Sequence, residues 1–117
     1  MNVESAREYC LKLKGCTESF PFDETTLVMK VGGKIFALIN LGEGPSFNLK
    51  CDPEKAIIFR ETFSAVLPGY HMNKKHWNTV LLDGSIKDEL LMNWINDSYY
   101  LVVNKLPMRL KNQLGFK

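Results

Sequence analysis

Apolar residues in the first fifteen positions recur at helical spacing: Val3, Ala6, Cys10 and Leu13. The period predicts an amphipathic helix, with Asn2 as its cap and Gly15 as its C-terminal stop. From Thr17 the period changes. Thr17 to Phe22 reads as a short extended piece that ends in the turn-like Asp23-Glu24. Two β-rich runs follow, TTLVMKV and KIFALIN, joined by Gly32-Gly33, a residue pair that permits a tight two-residue hairpin. Such a turn sets Val31 opposite Lys34, Met29 opposite Phe36 and Leu27 opposite Leu38. Opposed residues share a face, so Leu27, Met29, Val31, Phe36 and Leu38 are expected to form one apolar surface. The other face would carry Thr26, Val28, Lys30, Ile35, Ala37 and Ile39. It is less polar than open solvent demands.

Leu41 to Pro45 is a turn, and Ser46 to Lys50 a further strand with Phe47 and Leu49 on one side. Asp52-Pro53 opens a second helix: Asp caps it, and Pro takes the first helical position, where its missing N–H is not needed. Ala56, Phe59 and Phe63 supply its inward stripe. Ala65 to Tyr70 leads into a polar segment, and Trp77 to Leu82 reads as a strand closed by Asp83-Gly84. Ser85 followed by Asp88 predicts a capping box that launches a long helix to about Leu106, with Leu91, Trp94, Ile95, Ser98 and Val102 inward. Pro107 interrupts, and a short basic tail is expected to be frayed and solvated. The predicted order is α-β-β-β-β-α-β-β-α, an α+β domain spanning residues 1–117 whose antiparallel sheet has its helices on one side. No parallel βαβ unit with a phosphate-binding turn is visible.

Composition changes this picture little. At 117 residues, 45% hydrophobic and 24% charged, the chain has the make-up of an ordinary globular domain. No apolar run approaches the ~20 residues that a membrane-spanning helix requires. Glu4 and Glu8 stand where a signal peptide would be basic and then apolar, so a cytoplasmic location is the expectation. Cys10, Cys16 and Cys51 lack metal-site or redox-motif spacing and read as reduced core or boundary residues. Charge is more informative once divided. The net +2 comprises eight Lys and Arg against nine Asp and Glu in residues 1–65, then seven against four in residues 66–117. After Asp97 only Lys105, Arg109, Lys111 and Lys117 carry charge.

Candidate chemistry concentrates between Leu67 and Val80, in LPGYHMNKKHWNTV. Two histidines, two lysines, two amides, a Tyr and a Trp stand there without an acid. Lys74 and Lys75 would contact phosphates, Asn73 and Asn78 would hydrogen-bond, His71 and His76 would assist, and Tyr70 or Trp77 could stack on a base. A core role for Trp77 is the competing reading. Lys30 and Lys34 flank the glycine tip, where a backbone can approach a groove closely, and Arg109 in the tail adds a further cation. His71 and His76 lie five apart with no carboxylate nearer than Asp83, so neither a metal site nor acid–base catalysis is expected.

Several segments together carry a family resemblance. They are Phe20-Pro-Phe-Asp23 with Glu24, Lys30-Val-Gly-Gly-Lys34 leading to Phe36-Ala37, and Asn48-Leu-Lys-Cys-Asp-Pro53. The most diagnostic are Pro68 through Thr79 and Asp83-Gly84, followed by Ser98-Tyr99 and Lys105-Leu-Pro107. In these residues the chain resembles the MmcQ/YjbR family from end to end. The resemblance implies an α+β fold compared with frataxin-like (CyaY) and secretion-chaperone-like architectures. It also implies DNA binding through a double wing of β-hairpins, and it brings no catalytic residue. The expectation is a non-enzymatic DNA-binding protein without cofactor or metal, binding weakly to moderately and in a salt-dependent manner. Its nucleic-acid contacts would be Lys30, Lys34, His71, Asn73, Lys74, Lys75, His76 and Arg109. The alternative is a chaperone-like module that binds a protein partner through the semi-apolar hairpin face of Val28, Ile35, Ala37 and Ile39.

Overall fold

The structure, a computed structural model, describes residues 1–69 and 72–116. Its elements are α1 (Val3–Leu11), β1 (Cys16–Ser19), β2 (Thr26–Val31), β3 (Lys34–Asn40), β4 (Ser46–Lys50) and α2 (Pro53–Thr62). They continue with β5 (Val66–Pro68), β6 (Trp77–Leu81), α3 (Asp88–Val103) and α4 (Met108–Gln113). The six strands form one antiparallel sheet in the order β1-β2-β3-β4-β6-β5, and the helices pack on one of its faces. This is the α+β architecture expected from the hydrophobic pattern, with α4 added after Pro107.

Local chemistry explains where the helices start. The Asn2 side chain accepts from the Ser5 amide, and the Ser5 hydroxyl accepts from the Asn2 amide, both at 2.9 Å. Two of the donors that every helix leaves open are thereby satisfied. Asp52 caps α2 through the Glu54 and Lys55 amides, with Pro53 next to it. The capping box expected at Ser85 and Asp88 does not form. Ser85 instead donates its amide and its hydroxyl to Asp83 Oδ1, closing a turn, and α3 begins behind Lys87 without a side-chain cap. Asp88 and Glu89 then face the positive end of the helix.

The hairpin register also departs from the pattern. Gly32 and Gly33 both have positive φ, as a tight primed turn requires, and Val31 pairs with Lys34 as expected. Beyond Lys30, however, the ladder slips. Met29 pairs with Ala37, Val28 with Leu38 and Leu27 with Ile39. The extra residue is Phe36, and the bulge brings both Phe36 and Ala37 to the helix side, each fully buried. Ala37 and Ile39 therefore belong to the main core, and Leu38 moves to the opposite face, where it packs with Val28 and Trp77.

A bulge leaves ladder groups unpaired, and Ser98 of α3 takes them up. Its hydroxyl donates to the Phe36 carbonyl and accepts from the Lys50 amide at 2.8 Å, bridging β3 and β4. Beside it, Tyr99 meets Phe36 edge-on with ring centroids 5.3 Å apart, and its hydroxyl donates to the Lys14 carbonyl. The C-terminal segment, expected to be frayed, is docked. Leu114 and Phe116 pack against the core, while Lys14 Nζ donates to the Gly115 carbonyl and lies 5.5 Å from the Phe116 ring centroid. At the far end of α3, Trp94 stacks on Phe59 and meets Phe63 edge-on, which fixes α2 over β5 and β6.

Candidate nucleic-acid interface

The sheet face without helices is shaped by what strand alternation leaves on it. Along β4 the residues pointing that way are Ser46, Asn48 and Lys50, opposite Leu81, Thr79 and Trp77 of β6. Asn40, Leu38 and Ile35 of β3 and Thr26, Val28 and Lys30 of β2 continue the surface. Its centre is a small apolar island of Val28, Leu38 and Trp77, with Ile35 and Met72 packed against it. Trp77 is only 7% exposed, so it serves as core on this side of the sheet and presents no free face for stacking. The semi-apolar surface considered for a protein partner is thus smaller than the pattern suggested: Ala37 and Ile39 point inward, and Val28 and Leu38 are covered.

Two concavities lie on either side of Met72. The first, of about 520 Å³, is lined by Lys30, Gly33, Lys34, Ile35, Lys50, Met72, Trp77, Val102, Lys105 and Leu106. Four lysines converge there, from β2, β3, β4 and the residues after α3, and no acid is among the lining residues. Burial, and then the neighbouring Lys105, hold the Lys50 ammonium below its ordinary pKa. Like charges bordering one hollow repel one another, and an anion bound among them relieves that repulsion. The second concavity, of about 570 Å³, is neutral but for one rim carboxylate. Its lining includes Phe22, Asp23, Thr26, Asn40, Ser46, Asn48 and Thr79. The rim carboxylate, Asp23, accepts from the amides and hydroxyls of Thr25 and Thr26, and the backbone donors hold its pKa below the ordinary value.

Of the residues singled out in the sequence, Lys30 and Lys34 are brought together, and Lys50 and Lys105 join them. The hydrophobic pattern puts Lys105 at the end of the long helix and Lys50 at a strand end, and marks neither as a ligand contact. No periodicity could have grouped them, because they come from four elements. Lys74 and Lys75 lie in the turn that opens β6, beside the end of β4: the Cys51 amide donates to the His76 carbonyl at 2.7 Å. They share the end of the sheet with the lysine concavity but do not line it. Asn73 builds that turn, its side chain accepting from the Lys75 amide and its carbonyl from the His76 and Trp77 amides. Asn78 points to the helix side, buried, donating to the Ala56 carbonyl and accepting from Arg60. His76 is half-buried in the same turn, and Arg109 is exposed on α4, away from the concavity's lining. Tyr70 and His71 lie outside the described residues. One side of the hairpin tip is covered: a Cβ on Gly32 would stand 2.8 Å from the side chain of Leu106 in the turn after α3, while Gly33 has open space around it.

Elsewhere among the described residues there is little reactive chemistry. Burial pushes the Cys10 thiol up to about 12 and the Cys16 and Cys51 thiols up to about 11, which leaves almost no thiolate at neutral pH. Among the described residues, no group of three or more His, Cys, Asp or Glu side chains is placed to hold a metal ion. Nor is any helix among them long and apolar enough to cross a membrane.

The geometry defines an α+β protein with a helix-backed antiparallel sheet and an open face that is basic at one end. The family model described as YjbR matches residues 11–101, and the chain belongs to the YjbR family. It is 42% identical to YbdF of Escherichia coli O157:H7 over 91% of this chain and 88% of that one. It is 36% identical to YjbR of Escherichia coli K12 over 92% of each. Among solved structures, the Deinococcus radiodurans protein DR2400 superposes with a TM-score of 0.92 at 38% identity, covering 99% of this chain and 89% of its own. A Pseudomonas syringae protein matches with a TM-score of 0.77 at 27% identity, over 86% of this chain and 98% of that one.

Proposed function

We propose that this protein is a non-enzymatic nucleic-acid-binding module that holds phosphates with Lys30, Lys34, Lys50 and Lys105 on the open face of its sheet. The observation that carries this reading is the acid-free concavity in which those four lysines converge. Single exposed lysines are ordinary, but four bordering one hollow with no acid in its lining make it favourable to an anion, and burial followed by Lys105 holds the Lys50 ammonium below its ordinary pKa. The Lys74-Lys75 turn, at the same end of the sheet, extends the basic track for a longer strand. Four phosphate contacts give a log–log salt slope of roughly −3.6, and affinity falls about two orders of magnitude between 50 and 200 mM salt.

The test is a fluorescence anisotropy titration of a labelled twelve-nucleotide single strand and its duplex at several salt concentrations. Lys105→Gln should weaken binding and flatten the salt slope by about one contact. Lys87→Gln, which removes the same charge at the opposite end of the sheet, should leave the slope unchanged. Binding indifferent to salt, or equally affected by both substitutions, would overturn this assignment.

A further inference from the structure

We propose that the neutral concavity beside the lysines receives an unpaired nucleobase, so that the open face as a whole binds a nucleoside phosphate. This rests on the phosphate reading above and extends it to the base. The concavity has a built polar floor. Ser46 is 6% exposed and Asn48 is 7% exposed, yet both line the hollow. Asn48 Oδ1 accepts from the Thr79 hydroxyl at 2.5 Å, which leaves its amide nitrogen on the side of the hollow. The Ser46 hydroxyl borders the same hollow. Since no fully buried side-chain nitrogen or oxygen among the described residues lacks a partner, both groups are open to the hollow, where they can bond a ligand with hydrogen-bonding edges.

Size and spacing select the ligand class. About 570 Å³ lies within the range of small-molecule sites and accommodates a base with its sugar. Asn48 and Lys50 are two residues apart on β4 and point to the same face, so the floor and the nearest lysine are roughly 7 Å apart. That is the reach of one sugar, which would cross over Met72, the residue common to both hollows. Phe22, 67% exposed at the mouth of the neutral hollow, offers an aromatic face on which a base can stack. Asp23, whose oxygens already accept four hydrogen bonds, shapes the rim rather than bonding the ligand. A duplex cannot supply such a ligand, because its bases are paired and stacked.

The experiment follows the Asn48 side-chain amide resonances by NMR in the full chain, alongside anisotropy with the oligonucleotides above. The probes are inorganic phosphate, thymidine, thymidine monophosphate, the single strand and the duplex. Thymidine monophosphate and the single strand should both move the Asn48 amide, whereas phosphate should move resonances at the lysine end alone. A strand bound much more tightly than the free nucleotide identifies a single-stranded nucleic acid as the source; comparable affinities identify the free nucleotide. Phe22→Ala, at an exposed position, should weaken the single strand about tenfold while leaving the duplex unchanged, and Ser46→Ala should act in the same direction. Equal binding of strand and duplex, weakened by Lys105→Gln but not by Phe22→Ala, overturns the base site and leaves the phosphate site standing. Absence of binding by every phosphate-bearing probe overturns both.

Discussion

The Ser98 hydroxyl sits beside the β2–β3 bulge at Phe36, just past the Ala37–Leu49 pair where the ladder between β3 and β4 ends, accepting from one strand and donating to the other. Removing it leaves a buried carbonyl and an amide unpaired where the helix admits no water. Ser98→Ala should therefore lower unfolding stability by about 1–3 kcal/mol, read from the midpoint of a urea titration. A change below about 0.5 kcal/mol would mean that the strands close directly once the hydroxyl is gone. Helical spacing was enough to place Ser98 on the buried stripe of α3. Its partners were hidden, because a bulge leaves no mark in a run of β-branched and aromatic residues. The amides behave alike. Asn73 and Asn78 looked like ligand donors, but one builds a turn and the other bonds α2, since side-chain amides satisfy protein backbone as readily as a ligand.

At the scale of elements, the hairpin shows what alternation can and cannot determine. Strand existence, the glycine turn and the first paired residues followed from the pattern, but the register beyond Lys30 did not. Leu38 and Ile39 are both apolar, and so are Val28 and Met29, so either register buries hydrophobic side chains and the pattern cannot choose. The turn itself makes a discriminating prediction. Gly32 has φ +59° and would bring a Cβ within 2.8 Å of Leu106, whereas Gly33 has φ +78° with open space around it. Both alanine substitutions meet the left-handed strain of about 1–2 kcal/mol. Gly32→Ala should add displacement of Leu106 and be clearly the more destabilising in thermal melts. Equal losses in the two variants would show that the hairpin tip does not bear on Leu106.

Across the whole molecule, lysines are concentrated at one end of the sheet, a grouping that the halves of the chain do not show. Asp23, Glu24, Glu43 and Asp83 stand on the connections at one end, with Asp88 and Glu89 in the first turn of α3 behind Lys87, while Lys30, Lys34, Lys50, Lys74, Lys75 and Lys105 stand at the other, where Asp52 caps α2. The sequence alone suggested a basic second half, because Lys30 and Lys34 reach the basic end only through strand pairing. Such grouping has a consequence for stability. The four lysines of the concavity have no acid among their neighbours in the lining, and Lys50 is held below its ordinary pKa by burial and by Lys105. They therefore oppose folding slightly in the absence of an anion, as groups arranged for binding often do. Lys105→Gln should raise stability at low ionic strength by about 0.5 kcal/mol, which is about 2–3 °C in melting temperature. Inorganic phosphate, binding the folded state, should raise the melting temperature of the unsubstituted protein more than that of the variant. Chloride at equal ionic strength separates screening from binding, because it acts on the charges without occupying the hollow. A variant that melts lower in chloride, with the same response to phosphate, would mean that Lys105 is held by favourable contacts and that the hollow was not arranged for an anion.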